Sequence, residues 1–120
     1  ARFVATNDDA TYPRPEGPTP GAGSIVAAVA TAAGAEPVVA GKPHRPMADL
    51  ARDRCGERFS AETILMVGDR WSTDGRFADV LGCVFALVRT GVTEPGAEAG
   101  GIADIDEADL AGVADALLAV

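Results

Sequence analysis

Four short, predominantly apolar runs constrain the fold of this chain more than any other feature of its sequence. Each run is continuous rather than alternating, a pattern typical of strands buried on both faces of a parallel sheet. The four runs are Phe3–Thr6, Pro37–Gly41, Thr63–Val67 and Val84–Val88. The first run begins so close to the start of the sequence that we expect the chain to begin in the middle of a domain.

Helix-like segments alternate with these runs. They cover residues 23–33, 46–55, 73–81 and 106–118. Gly34 follows the first segment as a predicted C-cap, and Pro46 opens the second at a position that suits a first helical turn. The alternation predicts a three-layer, Rossmann-like α/β fold with a mainly parallel sheet and right-handed crossovers. Residues 7–21 and 90–101 are interpreted as loops because they are rich in glycine, proline or small residues.

Charge and composition exclude several classes of partner. The 120 residues include 10 Lys and Arg against 18 Asp and Glu, for a net charge of −8, so we expect no nucleic-acid binding. No apolar run approaches the roughly 18 residues of a membrane span, so no membrane association is expected. Cys55 and Cys83 lack metal-ligand spacing and are interpreted as reduced thiols of a cytoplasmic protein.

Polar side chains follow three of the predicted strands at the point where each strand ends. They belong to Thr6-Asn7-Asp8-Asp9, to Gly41-Lys42-Pro43, and to Gly68-Asp69-Arg70 with its continuation Ser72-Thr73-Asp74. Ligands of open α/β sheets bind at the carboxyl ends of the strands. Carboxylates there suit Mg²⁺, which prefers oxygen ligands, and a lysine beside them can contact a phosphoryl oxygen.

Simpler interpretations exist for each of these residues. Asp74 could cap the following helix, and Lys42 could be a solvated loop residue, as most lysines are. The same applies to His44 and Arg45, while Gly21–Ser24 fits a plain helix N-terminus better than a phosphate loop. For each residue taken alone, the structural interpretation is more common in proteins than the functional one. The order of the motifs after consecutive strands favours the functional interpretation.

At these residues the sequence resembles the haloacid dehalogenase (HAD) superfamily of phosphatases, in its p-nitrophenylphosphatase-like type IIA branch. Residues 39–43 and 66–74 look like the third and fourth motifs of that family. The flanking segments 3–9, 20–24 and 87–93 are similar to the same branch. The resemblance covers residues 2 to 93.

The resemblance implies a role for each matching residue. Lys42 corresponds to the catalytic lysine that steadies the nucleophile and the transferring phosphoryl group. Asp69 corresponds to the aspartate that binds Mg²⁺, and Asp74 to the second acidic position, which supports the metal. Asn7 and Asp9 lie where the chain returns from the cap to the core, which makes them tentative substrate-binding residues.

The chain also departs from the family pattern. The first motif, whose two aspartates are the nucleophile and the general acid, is not found, and neither is the Ser or Thr of the second motif. Asp8 and Asp9 do not substitute for them. Gly75 stands where the family usually has an aliphatic residue. We therefore expect residues 1–120 to be the C-terminal part of the core, with the cap-to-core return at about 1–20.

The resemblance implies that the intact protein is a Mg²⁺-dependent phosphate monoester hydrolase that works through an aspartyl-phosphate intermediate. Its partner would be a small phosphorylated metabolite such as a sugar, glycerol or nucleotide phosphate, and a homodimer is possible. This chain alone is expected to be inactive. The alternatives are a truncated product or pseudo-enzyme that binds Mg²⁺ or a partner chain, and a receiver-like or nucleotide-binding module.

Overall fold

The computed structural model describes residues 1–91, 101 and 103–119 of the chain. In those residues, short strands alternate with helices. The strands are β1 (Val4–Ala5), β2 (Thr11–Tyr12), β3 (Thr19–Pro20), β4 (Val38–Val39), β5 (Leu65–Gly68), β6 (Val84–Val88) and β7 (Ile105–Glu107). The helices are α1 (Ala22–Ala33), α2 (Arg45–Cys55), α3 (Arg76–Leu81) and α4 (Leu110–Leu118). A 3₁₀ turn, Gly56–Arg58, follows α2, and a π-helical turn, Trp71–Gly75, precedes α3.

Each of the four predicted runs contains a strand, and the strands that frame the site are parallel. β1 pairs with β4, and β5, β6 and β7 form a second parallel sheet in that order. The mainly parallel α/β fold is therefore confirmed. Gly34 ends α1 in the left-handed conformation, with φ of 60°, as its predicted capping role requires.

Two predicted segments are different in the structure. Residues 7–21 were expected to be a loop, but β2 and β3 pair there as a short antiparallel hairpin. The helix predicted from residue 106 begins at Leu110, because Ile105–Glu107 pairs with β6 and Asp109 caps the helix through the backbone N–H of Gly112. Strand β7 depends on a partner about 20 residues away, which local periodicity does not reveal. Most of the predicted loop 90–101 lies outside the described residues.

The core lies between strand β6 and helices α2 and α3. Phe85, Ala86 and Leu87 of β6 are buried, and Ala48 of α2 packs against Phe77 of α3. The expectation that every strand is buried on both faces is wrong for the β1–β4 pair. Val4 is 54% and Val38 43% exposed, while Ala5 is buried, so only one face of this pair is covered in the part of the chain that the structure describes.

The two cysteines are free thiols, and both are half-buried. Burial raises the pKa of the Cys83 thiol, although backbone hydrogen bonds partly oppose the effect. A raised pKa keeps the thiol protonated at neutral pH, and a protonated thiol is a poor nucleophile. Cys83 is therefore a packing residue, consistent with its contacts to both core clusters.

None of the described helices is long and apolar enough to cross a lipid bilayer. The longest, α1, has 12 residues, and a membrane span needs roughly 20.

Candidate functional site

The carboxyl ends of β1, β4 and β5 open into one cavity of about 570 Å³. Its apolar wall comes from α2, β5 and α3, through Met47, Ala51, Met66 and Phe77. Its polar wall contains all five residues that the sequence singled out: Asn7, Asp9, Lys42, Asp69 and Asp74. The structure thus brings the predicted residues together in one place, as parallel strands with a common carboxyl edge require.

Lys42 and Asp74 form the central contact of this cavity. The Lys42 Nζ lies 2.6 Å from Asp74 Oδ1, and the backbone N–H of Arg70 donates to Asp74 Oδ2 over 3.2 Å. Asp74 is 4% exposed, whereas the Lys42 side chain is 44% exposed. The buried carboxylate therefore holds an ammonium group whose other side remains open to the cavity.

The π-helical turn explains how Asp74 reaches this position. The backbone N–H groups of Asp74 and Gly75 both donate to the carbonyl of Arg70, over 2.7 and 3.4 Å, and the bond from Gly75, five residues on, widens the turn. The wide turn folds Asp74 back against Gly68 at the end of β5. Asp74 does not cap α3, since no side-chain cap bond is made there. The interpretation of Asp74 as a simple helix cap is thus wrong. π-helical turns are rare and often occur at functional sites.

Asp69 is the first residue after β5, and its side chain lies against the backbone of Gly91. A Cβ atom at Gly91 would overlap the Asp69 carboxylate, so only glycine fits this close approach without displacing it. Gly91 follows β6, the strand hydrogen-bonded to β5. Gly91 lies in the flanking segment 87–93 that resembles the family, but no role was expected for it. Its position just after a buried strand was the available signal.

Ion pairs join the loop after β1 to both motifs. Asp8 Oδ2 lies 2.9 Å from His44 Nε2, and Asp9 Oδ1 lies 4.0 Å from an Arg70 guanidinium nitrogen. The Asn7 side chain accepts the backbone N–H of Asp9 over 3.2 Å. His44 was interpreted as a solvated loop residue, but it is half-buried and paired. Arg70, which no prediction singled out, contacts the site through both its backbone and its side chain.

The donor groups of the cavity fit a magnesium ion held by few protein ligands. Asp69 and Asp74 supply two carboxylates, and no group of three or more His, Cys, Asp or Glu side chains within the described ranges is arranged to hold a metal. Mg²⁺ is usually held by one or two carboxylates and keeps several waters. Both oxygens of Asp74 accept hydrogen bonds, one from Lys42 and one from the backbone of Arg70.

Comparison with known proteins agrees with this geometry. The family model for HAD-hydrolase-like proteins matches residues 39–119. A dihydroxyacetone phosphatase from Corynebacterium glutamicum is 39% identical over 94 residues, which are 78% of this chain and 34% of that protein.

Solved structures of phosphatases are also similar to this chain. A p-nitrophenyl phosphatase from Archaeoglobus fulgidus superposes with a TM-score of 0.85 at 32% identity, covering 96% of this chain and 46% of the other. A glycerol phosphate phosphatase from Mycobacterium tuberculosis, in complex with magnesium, has a TM-score of 0.64 at 44% identity over 77% of this chain and 27% of its own. The chain therefore spans between about a quarter and a half of the lengths of these relatives.

Proposed function

The chain belongs to the HAD-like hydrolases, with p-nitrophenyl phosphatases among its structural neighbours, and from this premise we propose that the complete protein carrying these residues is a Mg²⁺-dependent phosphate monoester hydrolase. One observation carries the proposal: Lys42 is held by Asp74 in the same cavity as Asp69. A fixed cation beside a carboxylate suits a phosphoryl group, whose charge must be offset while it is transferred.

In this proposal Lys42 contacts a phosphoryl oxygen. Its ammonium has three donors, and Asp74 accepts one of them, which leaves the others for the substrate. Because Asp74 fixes the ammonium before substrate arrives, little reorganisation is needed at the moment of reaction. Asp74 thus acts on the substrate through Lys42.

Asp69 would hold the metal directly, and Asp74 would support it from the adjacent position. Bound Mg²⁺ would offset negative charge on the phosphoryl group. Because Gly91 has no side chain, the Asp69 carboxylate has room beside the end of β5. Asn7 and Asp9 line the same cavity and would contact the substrate.

We propose a small organic phosphate, such as a sugar, glycerol or nucleotide phosphate, as the substrate. The support is the similarity to phosphatases named for dihydroxyacetone and for D-glycerol 3-phosphate. The chain covers 34% and 25% of those two proteins. Residues 1–120 are therefore proposed to be the C-terminal part of the core, and the nucleophile to lie outside them.

The test is hydrolysis of p-nitrophenyl phosphate by the complete protein with and without Mg²⁺. We expect metal-dependent turnover that Asp69→Asn abolishes, together with Mg²⁺ binding measured by calorimetry. Asp53→Asn, which makes the same change on the exposed side of α2, is the matched control and should leave both unchanged. Equal Mg²⁺ binding by the Asp69→Asn and unsubstituted proteins would refute the ligand assignment. Mg²⁺ binding without turnover would favour a non-catalytic protein.

A further inference from the structure

A second recess adjoins the candidate site. It has a volume of about 370 Å³ and shares Asp9, Arg70 and Thr73 with the first cavity. Its remaining walls come from the loop after β1, from Pro43 and His44, and from Ser72 and Arg76. A ligand whose phosphoryl group meets Lys42 could therefore extend past Arg70 into this recess.

The charges that line the second recess leave one cation without a partner. Asp8 pairs with His44, and Asp9 pairs with Arg70. Within the described residues, the Arg76 guanidinium makes no ion pair or hydrogen bond, although the chain as a whole carries a net charge of −8. Arg76 is exposed where it lines this recess, so its guanidinium is open to an anion from outside.

We propose that this recess binds a second anionic group, a carboxylate or a phosphate, on the leaving-group side of the substrate, with Arg76 as the residue that recognises it. The inference rests on the proposed function, because it takes the phosphoryl position from Lys42 and Asp69. A planar guanidinium can donate two parallel hydrogen bonds to either oxyanion. Hydroxyl groups of Thr11, Ser72 and Thr73 line the same recess and suit the polar atoms between the two charges.

Three non-hydrolysable two-carbon probes test the proposal in the complete protein. All three carry one phosphonate group. The second group is a neutral hydroxyl in 2-hydroxyethylphosphonate, a carboxylate in phosphonoacetate and another phosphonate in ethylene-1,2-diphosphonate. Binding is measured by calorimetry at a fixed free Mg²⁺ concentration, for the unsubstituted protein and for Arg76→Gln, Arg54→Gln and Lys42→Met. Arg54 is exposed on α2 away from both cavities, so its variant matches the change in net charge.

We expect at least one of the two probes with a second anionic group to bind about tenfold more tightly than 2-hydroxyethylphosphonate, as a charge-assisted hydrogen bond requires. Arg76→Gln should remove that preference and leave the binding of 2-hydroxyethylphosphonate unchanged, and Arg54→Gln should change neither. The probe that is preferred identifies the carboxylate or the phosphate. Arg76 is exposed, and its guanidinium makes no ion pair or hydrogen bond with the described residues. The Arg76→Gln variant should therefore fold normally.

Two further outcomes are distinguishable. If all three probes bind equally, and Lys42→Met weakens all of them, the second-anion site is refuted and the proposed function stands. If no probe binds, or if Lys42→Met leaves binding unchanged, the proposed function fails and the inference built on it fails as well.

Discussion

At the scale of single residues, the site depends on a contact between one buried and one open group. Asp74 has lost nearly all its contact with water, and a buried carboxylate is costly unless it is paired. Lys42, the chain's only lysine, supplies the pairing charge, and the backbone of Arg70 satisfies the second oxygen. The same contact that keeps Asp74 buried therefore fixes the ammonium at the cavity.

Replacing Lys42 should separate its catalytic role from its structural one. In the complete protein, we expect Lys42→Met to lower turnover about 10²- to 10³-fold, because an electrostatic contact to the reacting group is lost. The free energy of unfolding should fall by a smaller amount, about 1–3 kcal/mol, because Asp74 keeps only one partner. Steady-state kinetics and urea unfolding measure the two effects.

Arg58→Met, which removes an exposed cation outside both cavities, is the control for Lys42→Met and should leave turnover unchanged. Near-normal turnover in Lys42→Met would show that Lys42 is a solvated loop residue without a catalytic role.

At the scale of elements, the turn Trp71–Gly75 carries a glycine where the family resemblance leads us to expect an aliphatic residue, and the packing around it gives a reason. A Cβ atom at Gly75 would overlap the Trp71 ring, so glycine here makes room for tryptophan. The ring also meets Phe85 edge-on, with centroids 5.6 Å apart. Gly75 and Trp71 are thus one packing unit that anchors the turn carrying Asp74 to strand β6.

This pairing predicts a change of sign in a double-mutant cycle. Gly75 has helical dihedral angles, φ −63° and ψ −47°, at which alanine is ordinarily favoured by roughly 0.5–1 kcal/mol. In the natural chain, Gly75→Ala should nevertheless destabilise by about 1–3 kcal/mol, because a rigid ring occupies the space. With Trp71→Leu, the same substitution should become neutral or stabilising. Urea unfolding followed by circular dichroism measures both, and additive effects would contradict the packing unit.

A side-chain ion pair between Arg89 and Asp106 joins the ends of strands β6 and β7 in addition to their backbone pairing. The Arg89 Nε donates to Asp106 Oδ1 over 2.8 Å, and the Arg89 NH2 group donates to Asp106 Oδ2 over 2.5 Å. The hydrogen bonds from Arg89 hold the pKa of Asp106 below its usual value. The folded state therefore favours the ionised carboxylate. Its stabilising effect is complete above the unfolded pKa of about 4 and disappears as the pH falls through the folded pKa.

Asp106→Asn should accordingly lower the melting temperature at pH 7, and the difference from the natural chain should vanish in strong acid. Thermal unfolding from pH 7 to pH 2 provides the measurement, with Asp53→Asn as a control that lacks an ion pair among the described residues. If the difference in melting temperature persists unchanged at pH 2, the ion pair between Arg89 and Asp106 is not its cause.

At the scale of the whole molecule, the chain is open and thin. Its radius of gyration is 16.4 Å, against about 14 Å for a compact domain of this length, and its smallest extent is 19 Å. Helix α1 buries none of its residues, and Ile25, Val29, Val4 and Val38 are largely exposed. Strand β5 is an edge of its sheet among the described strands. Apolar surface and an open strand edge together favour association.

We therefore expect the 120-residue chain by itself to self-associate or to be marginally stable, and to lack phosphatase activity. Sedimentation velocity should show concentration-dependent species. An assay with p-nitrophenyl phosphate and Mg²⁺ should show no turnover until the rest of the protein is added. Metal-dependent turnover by this chain alone, abolished by Asp69→Asn, would mean that its residues include the nucleophile.

The sequence by itself determined the class of fold and the edge of the sheet at which a site is expected. Unbroken apolar runs mark parallel strands because such strands are covered on both faces, and polar residues at the ends of those runs must share one edge of the sheet. That rule places a larger set of polar residues at the edge, and the family resemblance selects Lys42, Asp69, Asp74, Asn7 and Asp9 from it. Their roles in binding and catalysis stay predictions that the proposed experiments test.

Only the tertiary structure decided which of these residues touch. The pairing of Lys42 with Asp74 spans 32 positions of sequence, Gly91 meets Asp69 across neighbouring strands, and the β7 strand exists through its pairing with β6. Contacts of this kind have no local pattern, because they depend on how distant segments pack and not on propensity or periodicity. The same reason hides Arg76: nothing around it in sequence shows that its recess adjoins the site.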